Sequence, residues 1–523
     1  TVQLQESTAS KRQEYKKEAK ETAAGKLVFL NEKIQFSHGS NISMDDLRIQ
    51  EQSIHWQLKY YGFEHLKSAW LGYTHPEEIT EEELRIHQEW LADWRGSYPI
   101  AADTNYLRRY WLPHSVCLRI LNWARYDANF SERLDSEFRE EIKRLVYKNG
   151  AFLANNVEHG VGGNHLIENA VALVVAGTYA NEPQWRRQGQ QLFERAAANQ
   201  FFNDGGHFER SPMYHLIVCQ RYLTANYILN QVEEPSSRIQ ACAKQSAEFL
   251  HSICPPDNKI PLLNDSVFGE ALSLNECLTY ARKTGITVAA CRNSKFQDMS
   301  ESGVYWLGNG GNQLLAALHE IAIPHVPGHA HAHPGQICLW IGGERILTDT
   351  GVYEYATGLR RERSRSIQSH NTVQIANKEP VRMSSSFWLW GRINPVVTSR
   401  ENGVEFKYSV NEPRRSSYEH KRLVTYDKDS WVVSDRISHT SDSQITSRLH
   451  FHPGVELNKA DGVIAVRTQS ESPVVSIEPF GEVDMSLDTA PYYPEYGVKQ
   501  TRAVILLSGT AQQDFGVKIY KQN

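Results

Sequence analysis

The sequence predicts a protein of two parts, a two-layer helical barrel followed by an antiparallel β-sandwich. Before about residue 300, apolar residues recur at intervals of three and four, which is the period of an amphipathic helix. After that point, short β-branched runs alternate apolar and polar residues, and turn pairs such as Asn402-Gly403 separate them at intervals typical of a sandwich. We therefore predict a mainly helical arm over residues 1–100, a helical domain over 101–298 and a β-sandwich over 299–523.

Seven segments before residue 300 carry the helical period, and short connections join them, so neighbouring helices are expected to be antiparallel. They cover residues 115–128, 131–158, 165–180, 184–201, 212–232, 237–253 and 268–285. The segment that starts at His165 is apolar on almost every side, which predicts an inner helix of the barrel. The Lys- and Glu-rich start of the chain, to about residue 25, is expected to be solvated.

The composition limits the classes of function. A formal net charge of −5 argues against nucleic acid or a membrane surface as the main partner, although a local basic wall can still bind a polyanion. No apolar run approaches the length of a membrane span. The seven Cys form no CxxC pair, which predicts buried thiols without a disulfide framework. The chain begins without an apolar leader, so we expect either a cytoplasmic protein or a periplasmic or secreted protein whose leader was removed.

A histidine-rich stretch in the β part predicts a metal site. His331 and His333 would share one face of a strand, because side chains alternate there. The pair Gly342-Gly343 predicts a hairpin, which would return Asp349 to the end where His333 begins, and His370 follows further along. Imidazoles and a carboxylate form the N/O ligand set that zinc prefers. The alternative is a solvated polar loop.

The helical part carries a polar group at the start of an otherwise apolar helix. Gly162-Gly163 predicts a turn, and Asn164 is the expected N-cap of the helix. His165 and Glu168 would then share one helix face. An ordinary cap beside a hydrogen-bonded core histidine explains the same pattern equally well.

A second polar group precedes the segment over residues 212–232. Ser211 followed by proline predicts a helix start, which places Tyr214 in the first turn and at the mouth of the barrel. A tyrosine in such a position is commonly structural. With Glu209 and Arg210 beside it, Tyr214 becomes a candidate for proton transfer.

These motifs, taken in order, resemble those of the heparinase II/III-like polysaccharide lyases, and the resemblance spans most of the chain. They are WLPHSVCLRILNW at residues 111–123, GNHLIENA at 163–170, ERSPMY at 209–214, HAH at 331–333, DTG at 349–351 and SHNTV at 369–373. The chain departs from the family pattern at Gly335, commonly acidic or an amide, and at Thr350, commonly Pro or Ser. The resemblance implies a fold of an incomplete α/α toroid followed by an antiparallel β-sandwich.

The resemblance also implies a reaction, β-elimination on an anionic, uronate-containing polysaccharide. Asn164 and His165 would neutralise the substrate carboxylate. Tyr214 would be the acid, and the base for one C5 epimer, while His331 would be the base for the other. The implied ligands of a structural divalent metal ion, with zinc the expected ion, are His333, Asp349 and His370. Candidate substrate-binding residues are the charged side chains Arg119, Glu168, Glu209, Arg210 and Arg363.

Two other classes of function stay open at this point. Helical toroids also host inverting glycoside hydrolases, which use two carboxylates; here these would come from Asp204, Glu209 and Glu168. A non-catalytic protein that binds or assembles surface polysaccharide is the third class. The identity of the uronate polymer and the oligomeric state do not follow from these residues.

Overall fold

The structure is a computed structural model that describes residues 9–97, 109–288, 296–321, 328–410, 417–439, 443–468, 475–510 and 513–521. The chain divides into two compact units. The helical unit comprises Thr1–Phe201, Leu216–Glu248 and Asn275–Val288, and the sheet unit comprises Phe202–His215, Phe249–Leu274 and Ala289–Asn523. Two segments that precede residue 299 in the sequence therefore pack with the sheets. No helix in the described ranges is long and apolar enough to cross a membrane.

Among the described residues before 289, the structure has twelve α-helices and one short hairpin. The helices are α1 Ala9–Ala23, α2 Leu47–Gln50, α3 Ile54–Tyr61, α4 Lys67–Gly72, α5 Glu81–Ser97, α6 Pro113–Phe130, α7 Ser136–Asn155, α8 Gly163–Tyr179, α9 Pro183–Asn199, α10 Pro212–Gln231, α11 Ser237–Ile253 and α12 Leu274–Lys283. The hairpin pairs β1 Lys26–Phe29 with β2 Glu32–Gln35. The arm over residues 1–100, predicted to be mainly helical, thus also contains this short hairpin.

Helix α8 is an inner helix, as its apolar sequence predicted. Its side chains from Leu166 to Val174 are buried, and it contacts α6, α7 and α9. The approach of α9 is close, because a Cβ on Gly189 would lie 2.6 Å from the carbonyl oxygen of Ala170. The helix begins at Gly163, with Gly162 as N-cap at φ 67°, a backbone conformation that favours glycine. Asn164 therefore lies inside the first turn of the helix, and the prediction that it is the N-cap was wrong.

Helix α7 begins later than the sequence predicted. Residues 131–134 form a turn, and the Asp135 side chain accepts a hydrogen bond from the backbone N–H of Phe138 at 2.7 Å. This is the geometry of an N-cap, which satisfies one of the free N–H groups of the first turn. The helical period extends before Asp135, but the cap decides where the helix starts.

Two histidines of the helical unit are buried among aromatic rings. His65 lies 5.3 Å from the ring of Tyr60 and 4.8 Å from that of Trp90, and neither of its ring nitrogens has a hydrogen-bond partner in the described structure. Burial lowers the pKa of His65 to about 3 and that of His87 to about 4. Both are therefore neutral in the folded protein at neutral pH.

These two histidines predict a loss of stability in mild acid. A histidine in an unfolded chain has a pKa of about 6.5. Between that value and the folded pKa, the unfolded state binds more protons, so the free energy of unfolding falls as pH is lowered. At about pH 5, each of the two histidines should lower the free energy of unfolding by about 2 kcal/mol. The measurement is the melting temperature between pH 7 and 5. The melting temperature of the His65→Phe variant should depend less on pH than that of the parent. An equal pH dependence in both proteins would contradict the argument.

In its described residues, the sheet unit contains three larger antiparallel sheets. The first has five strands: β3 Phe296–Met299, β4 Val304–Asn309, β5 Asn312–Ala317, β6 Gln336–Ile341 and β7 Glu344–Leu347, in that order. The second has the order β11-β12-β13-β14-β21-β18-β17-β16, with β11 Val396–Arg400, β12 Gly403–Val410, β13 Tyr418–Asp427, β14 Ser430–His439, β16 Val455–Ala460, β17 Val463–Thr468, β18 Val475–Phe480 and β21 Phe515–Lys521. One buried cluster contains residues from both sheets, including Leu339, Phe406 and Trp431.

The described part of the sheet unit also contains a third sheet and smaller elements. The third sheet has the order β19-β20-β15-β8, with β8 Val373–Ile375, β15 Gln444–His450, β19 Val483–Tyr492 and β20 Gln500–Thr510. The other elements are the helix α13 Leu359–Arg365 and the hairpin of β9 Arg382–Met383 with β10 Leu389–Trp390. The predicted hairpin at Gly342-Gly343 is confirmed, since β6 and β7 pair on either side of it. His331 and His333, however, lie in an irregular segment before β6, not in a strand.

The cysteines within the described residues are free thiols. Six free thiols lie in the described residues, and Cys254 is the partly exposed one among them. The seventh, Cys291, lies outside the described residues.

Candidate active site

Tyr214 stands in a ring of aromatic and polar groups within the sheet unit. Ser211 caps α10, accepting from the backbone N–H of Tyr214 at 3.2 Å. The Tyr214 hydroxyl lies 2.9 Å from that of Tyr355. Its ring stacks on His329 with the centroids 3.9 Å apart and the planes 29° apart. Burial, followed by the charge of Asp265, raises the pKa of Tyr214, so the phenol keeps its proton at neutral pH.

Asp265 is the centre of the site and was not predicted from the sequence. Its carboxylate is fully buried and accepts from His329 Nδ1 at 2.9 Å and from His331 Nε2 at 2.8 Å. Arg361 donates to both oxygens, at 2.5 and 2.8 Å. Burial alone would raise the pKa of Asp265, but the charge of Arg361 and the two histidine hydrogen bonds hold it well below its usual range. An ionised Asp265 therefore fixes both imidazoles.

His331, the predicted base, lies deeper than His329. The side chain of His331 has no exposed surface, whereas that of His329 is 12 % exposed. Burial lowers the pKa of His331 to about 3. Its ring centroid is 5.4 Å from that of His370, on the side of the predicted metal ligands. The histidine that touches Tyr214 is His329.

The three predicted metal ligands lie together in the sheet unit and are fully buried. Nδ1 of His370 is 2.5 Å from an oxygen of Asp349, and the rings of His370 and His333 are 5.1 Å apart. His333 Nε2 is 2.7 Å from the side-chain oxygen of Asn264. Although burial opposes it, the neighbouring His370 lowers the pKa of Asp349 to about 2. The hairpin of β6 and β7 brings Asp349 to this place.

Each of these three residues retains one buried polar atom without a hydrogen-bond partner in the described structure: His333 Nδ1, Asp349 Oδ2 and His370 Nε2. Such atoms are costly in a protein interior. Two imidazoles and a carboxylate suit zinc chemically. Across the described ranges, however, no group of three or more His, Cys, Asp or Glu side chains is arranged to hold a metal ion. The three side chains are therefore of the right chemical type for a metal ion, but they would have to move in order to coordinate one.

Buried polar side chains brace the backbone around this cluster. Arg502 donates to the carbonyl oxygens of Thr348, Asp349 and Ser369 at 3.0 to 3.1 Å. Asn371 donates to the carbonyl of Ile337 at 2.7 Å and accepts from the N–H of His450 at 2.6 Å. The conformation of the SHNTV motif is therefore set by the sheet unit itself.

Asn164 and His165 occupy the first turn of α8 in the helical unit. The His165 side chain is 33 % exposed, and its Nδ1 is 3.3 Å from Glu158. Burial raises the pKa of Glu158, but the hydrogen bond and charge of His165, together with the hydrogen bond from Asn169, outweigh burial, so the pKa is lowered. Glu158 also accepts from Asn169 at 3.0 Å. The sequence placed Glu168 on the same helix face as His165, but the carboxylate that contacts His165 is that of Glu158, seven residues before it.

Glu168 is paired elsewhere in the helical unit. It is buried and accepts from Arg221 Nε at 2.8 Å, while its other oxygen has no partner in the described residues. Arg119 does not fit its predicted role as a substrate-binding residue, because it is fully buried in the helical core. It donates to Asn149 at 2.8 Å and lies 4.3 Å from the ring of Trp94. Arg119 therefore supports packing.

The charged residues around Tyr214 differ in their surroundings. Glu209 is buried, 3.5 Å from His207 Nδ1. Arg210 has a left-handed backbone at φ 51° and lies 4.6 Å from the Phe202 ring. Its Nε donates to a backbone carbonyl, so its guanidinium joins loops of the sheet unit. Arg363 lies on α13 and is exposed.

Asp204, considered for a hydrolase, serves a structural role. One oxygen accepts from the Gly206 N–H at 3.0 Å and from the Ser302 hydroxyl at 2.7 Å. The other accepts from the Ser302 N–H at 2.8 Å. A carboxylate committed to three donors is poorly placed to activate water.

Comparison with known proteins gives a consistent result. The heparinase II/III N-terminus family matches residues 2–284, and the heparinase II/III-like C-terminal family matches residues 292–519. A heparin-sulfate lyase from Bacteroides stercoris is 22 % identical over 87 % of this chain and 72 % of its own length. One from Pedobacter heparinus is 23 % identical over 77 % of this chain, and the match spans 62 % of its length.

A solved structure shares the fold at low identity. The crystal structure of a heparinase III aligns with a TM-score of 0.77 at 18 % identity, covering 100 % of this chain and 86 % of the other. The predicted fold class, an incomplete α/α toroid followed by an antiparallel β-sandwich, is confirmed by this similarity. The two family matches together cover most of the sequence. The chain belongs to the heparinase II/III-like family.

Proposed function

We propose that the protein is a polysaccharide lyase, which cleaves an anionic, uronate-containing polysaccharide by β-elimination. The observation that carries this proposal is the setting of Tyr214, a protonated phenol that stacks on His329 and meets a second tyrosine hydroxyl. Such a group can give a proton to a departing oxygen. The two relatives called heparin-sulfate lyases support the class of reaction and make heparan-type glycosaminoglycans the first candidate substrates.

The reaction requires one proton to leave carbon and one to reach oxygen. A base removes the C5 proton of the uronate, and that electron pair forms the C4–C5 double bond. The bond between C4 and the glycosidic oxygen breaks, and the oxygen takes a proton. The C5 proton is only weakly acidic while the neighbouring carboxylate is charged, so the protein must stabilise the negative charge that develops.

We assign carboxylate stabilisation to Asn164 and His165. Both lie in the first turn of α8, where backbone N–H groups and the helix dipole favour an anion. The partial exposure of His165 leaves its ring accessible, and Glu158 orients it. The charge on the substrate carboxylate grows toward the enolate-like state, so this interaction should act mainly on the rate.

We assign proton transfer to Tyr214 and His329. Tyr214, whose phenol is protonated, is the acid for the departing oxygen. For the second proton-transfer group, the contacts favour His329 over His331, because His329 touches Tyr214 and retains exposed surface. Asp265 orients His329 through Nδ1.

The products test this function. The purified protein should be incubated with a panel of uronate polymers, including heparan sulfate, hyaluronan and alginate. A lyase forms an unsaturated uronate, which absorbs in the ultraviolet, and we expect this absorbance to rise with at least one polymer. Saturated reducing ends without the chromophore would establish a hydrolase instead. Binding without any cleavage would overturn the catalytic proposal.

We further propose that His333, Asp349 and His370 hold a divalent metal ion, with zinc the best match to the donor set. The three unpartnered buried atoms support this assignment. The bound ion would act as a structural link between the histidine-rich segment, the end of β7 and the SHNTV motif. No proton transfer is assigned to it.

This assignment predicts that the purified protein contains about one equivalent of metal. His333→Ala should lose the metal and lower the melting temperature, because metal binding to the folded state stabilises it. Metal content can be measured by atomic emission. His420→Ala is a matched control: His420 is an equally buried histidine, bonded to Asp435, so its loss should reduce stability and leave the metal content unchanged. Metal-free protein whose melting temperature does not respond to zinc would show a purely hydrogen-bonded cluster.

A further inference from the structure

Three aromatic side chains in and beside the β9–β10 hairpin are exposed. Phe387, Trp388 and Trp390 have 37, 49 and 59 % of their surface accessible. The two tryptophan rings are stacked, with centroids 6.3 Å apart and planes 20° apart. We call these three residues the aromatic strip. Large apolar side chains grouped at a surface are a common sign of a binding site.

The hairpin holds the two tryptophans outward. Leu389, between them, pairs with Met383 in the strand register and is buried in the sheet core. Side chains alternate along a strand, so Trp388 and Trp390 share the opposite, exposed side. Trp390 Nε1 donates to the Ser384 hydroxyl at 2.8 Å, which fixes the orientation of its ring.

The strip is continuous with the proton-transfer residues. The ring of Phe387 is 5.2 Å from that of Tyr355 and 6.2 Å from that of His329. Arg361 connects the two regions: its Nε donates to the Ser386 carbonyl at 2.9 Å, while its other nitrogens hold Asp265. Because Asp265 fixes His329, one buried guanidinium sets the position of both the strip and the candidate base.

The charged side chain that the hairpin register places opposite the strip is basic. Residues 378–400 carry four basic side chains and one acidic side chain. The basic residues are Lys378, Arg382, Arg392 and Arg400, and the Arg400 guanidinium is paired with Glu405. Arg382 is exposed and lies opposite Trp390 in the hairpin register. Flat aromatic faces suit the apolar C–H faces of sugar rings, and nearby cations suit the carboxylates or sulfates of an anionic chain.

We propose that the aromatic strip is a subsite for sugar residues of the polysaccharide that adjoin the cleaved bond. The inference rests on the proposed function, and its occupant is the same anionic, uronate-containing chain. A ring that covers one face of a sugar should improve affinity about tenfold, from the apolar surface it removes from water. The strip thus contributes to the affinity for the polymer and takes no part in proton transfer.

The test measures binding of heparan sulfate by affinity electrophoresis in the Tyr214→Phe background, which prevents cleavage during the run. We expect Trp388→Ala with Trp390→Ala to weaken binding about a hundredfold, tenfold for each ring. Trp390→Phe, which keeps a flat ring, should reduce the affinity for heparan sulfate less than Trp390→Ala does. Tyr147→Ala is the matched control, because Tyr147 is 48 % exposed and lies on α7 in the helical unit. The melting temperatures should show that every variant is folded.

Each outcome decides the inference. Unchanged affinity in the double variant, or an equal loss in Tyr147→Ala, would overturn it. If the double variant differs from the parent in molecular mass in solution, the strip is an interface between copies and the sugar subsite is wrong. If the parent binds polymer through the strip but never cleaves it, the strip is still a polysaccharide-binding surface, and the lyase proposal fails. If the parent binds no uronate polymer, both fail.

Discussion

Replacement of Tyr214 by Phe is expected to remove nearly all turnover and to leave the fold intact. The substitution deletes one hydroxyl, whose bond is to Tyr355, and keeps the ring that stacks on His329. Loss of a positioned proton donor typically costs about a hundredfold to ten-thousandfold in rate. The measurement is kcat from the absorbance of the unsaturated product, with the melting temperature measured on the same samples.

Tyr355→Phe is the matched comparison for this variant. It removes the partner hydroxyl and leaves the Tyr214 phenol in place. One neutral hydrogen bond contributes about 1 kcal/mol, so the rate should fall about fivefold. Tyr214→Phe with activity within a few-fold of the parent would rule out the acid role. Equal large losses in both variants would instead assign the proton to the tyrosine pair as a unit.

Local periodicity predicted most elements of this fold. The all-round apolar sequence of α8 predicted an inner helix, and Gly342-Gly343 predicted the β6–β7 hairpin. The start of α7 was missed because the Asp135 cap, and not the apolar period, decides it. Residues 202–215 and 249–274 pack with the sheets, although their own pattern is that of helices and connections. Periodicity describes an element and carries no information on what it packs against.

The sequence predicted those site residues whose immediate neighbours form a recognisable motif, such as a helix start or a hairpin turn. Ser211 before a proline placed Tyr214 in the first turn of a helix, and the hairpin accounted for Asp349. Asp265 was missed because its partners Arg361 and His331 lie 96 and 66 residues away. One signal was available: Asp265 follows a buried apolar run, Ile260 to Leu263, and a carboxylate there needs partners.

Asp265→Asn is expected to have the largest combined effect on stability and activity. The substitution leaves the buried Arg361 guanidinium without a counter-charge. Breaking a buried ion pair in this way costs about 3 to 5 kcal/mol. It also removes the negative charge that orients His329, so kcat should fall together with stability. Asp257→Asn is the control, because the Asp257–Arg345 pair in the same unit is partly exposed and should cost less.

A second substitution separates the two roles of Asp265. Asp265→Asn combined with Arg361→Met removes both buried charges, so the free energy of unfolding should recover in part. Activity should not recover, since the imidazole of His329 still lacks a charged partner at Nδ1. Urea unfolding and kcat of the double variant therefore test different claims. A double variant that regains both stability and turnover would show that Asp265 serves only to neutralise Arg361. A single variant as stable as the parent would mean that the pair contributes nothing to folding.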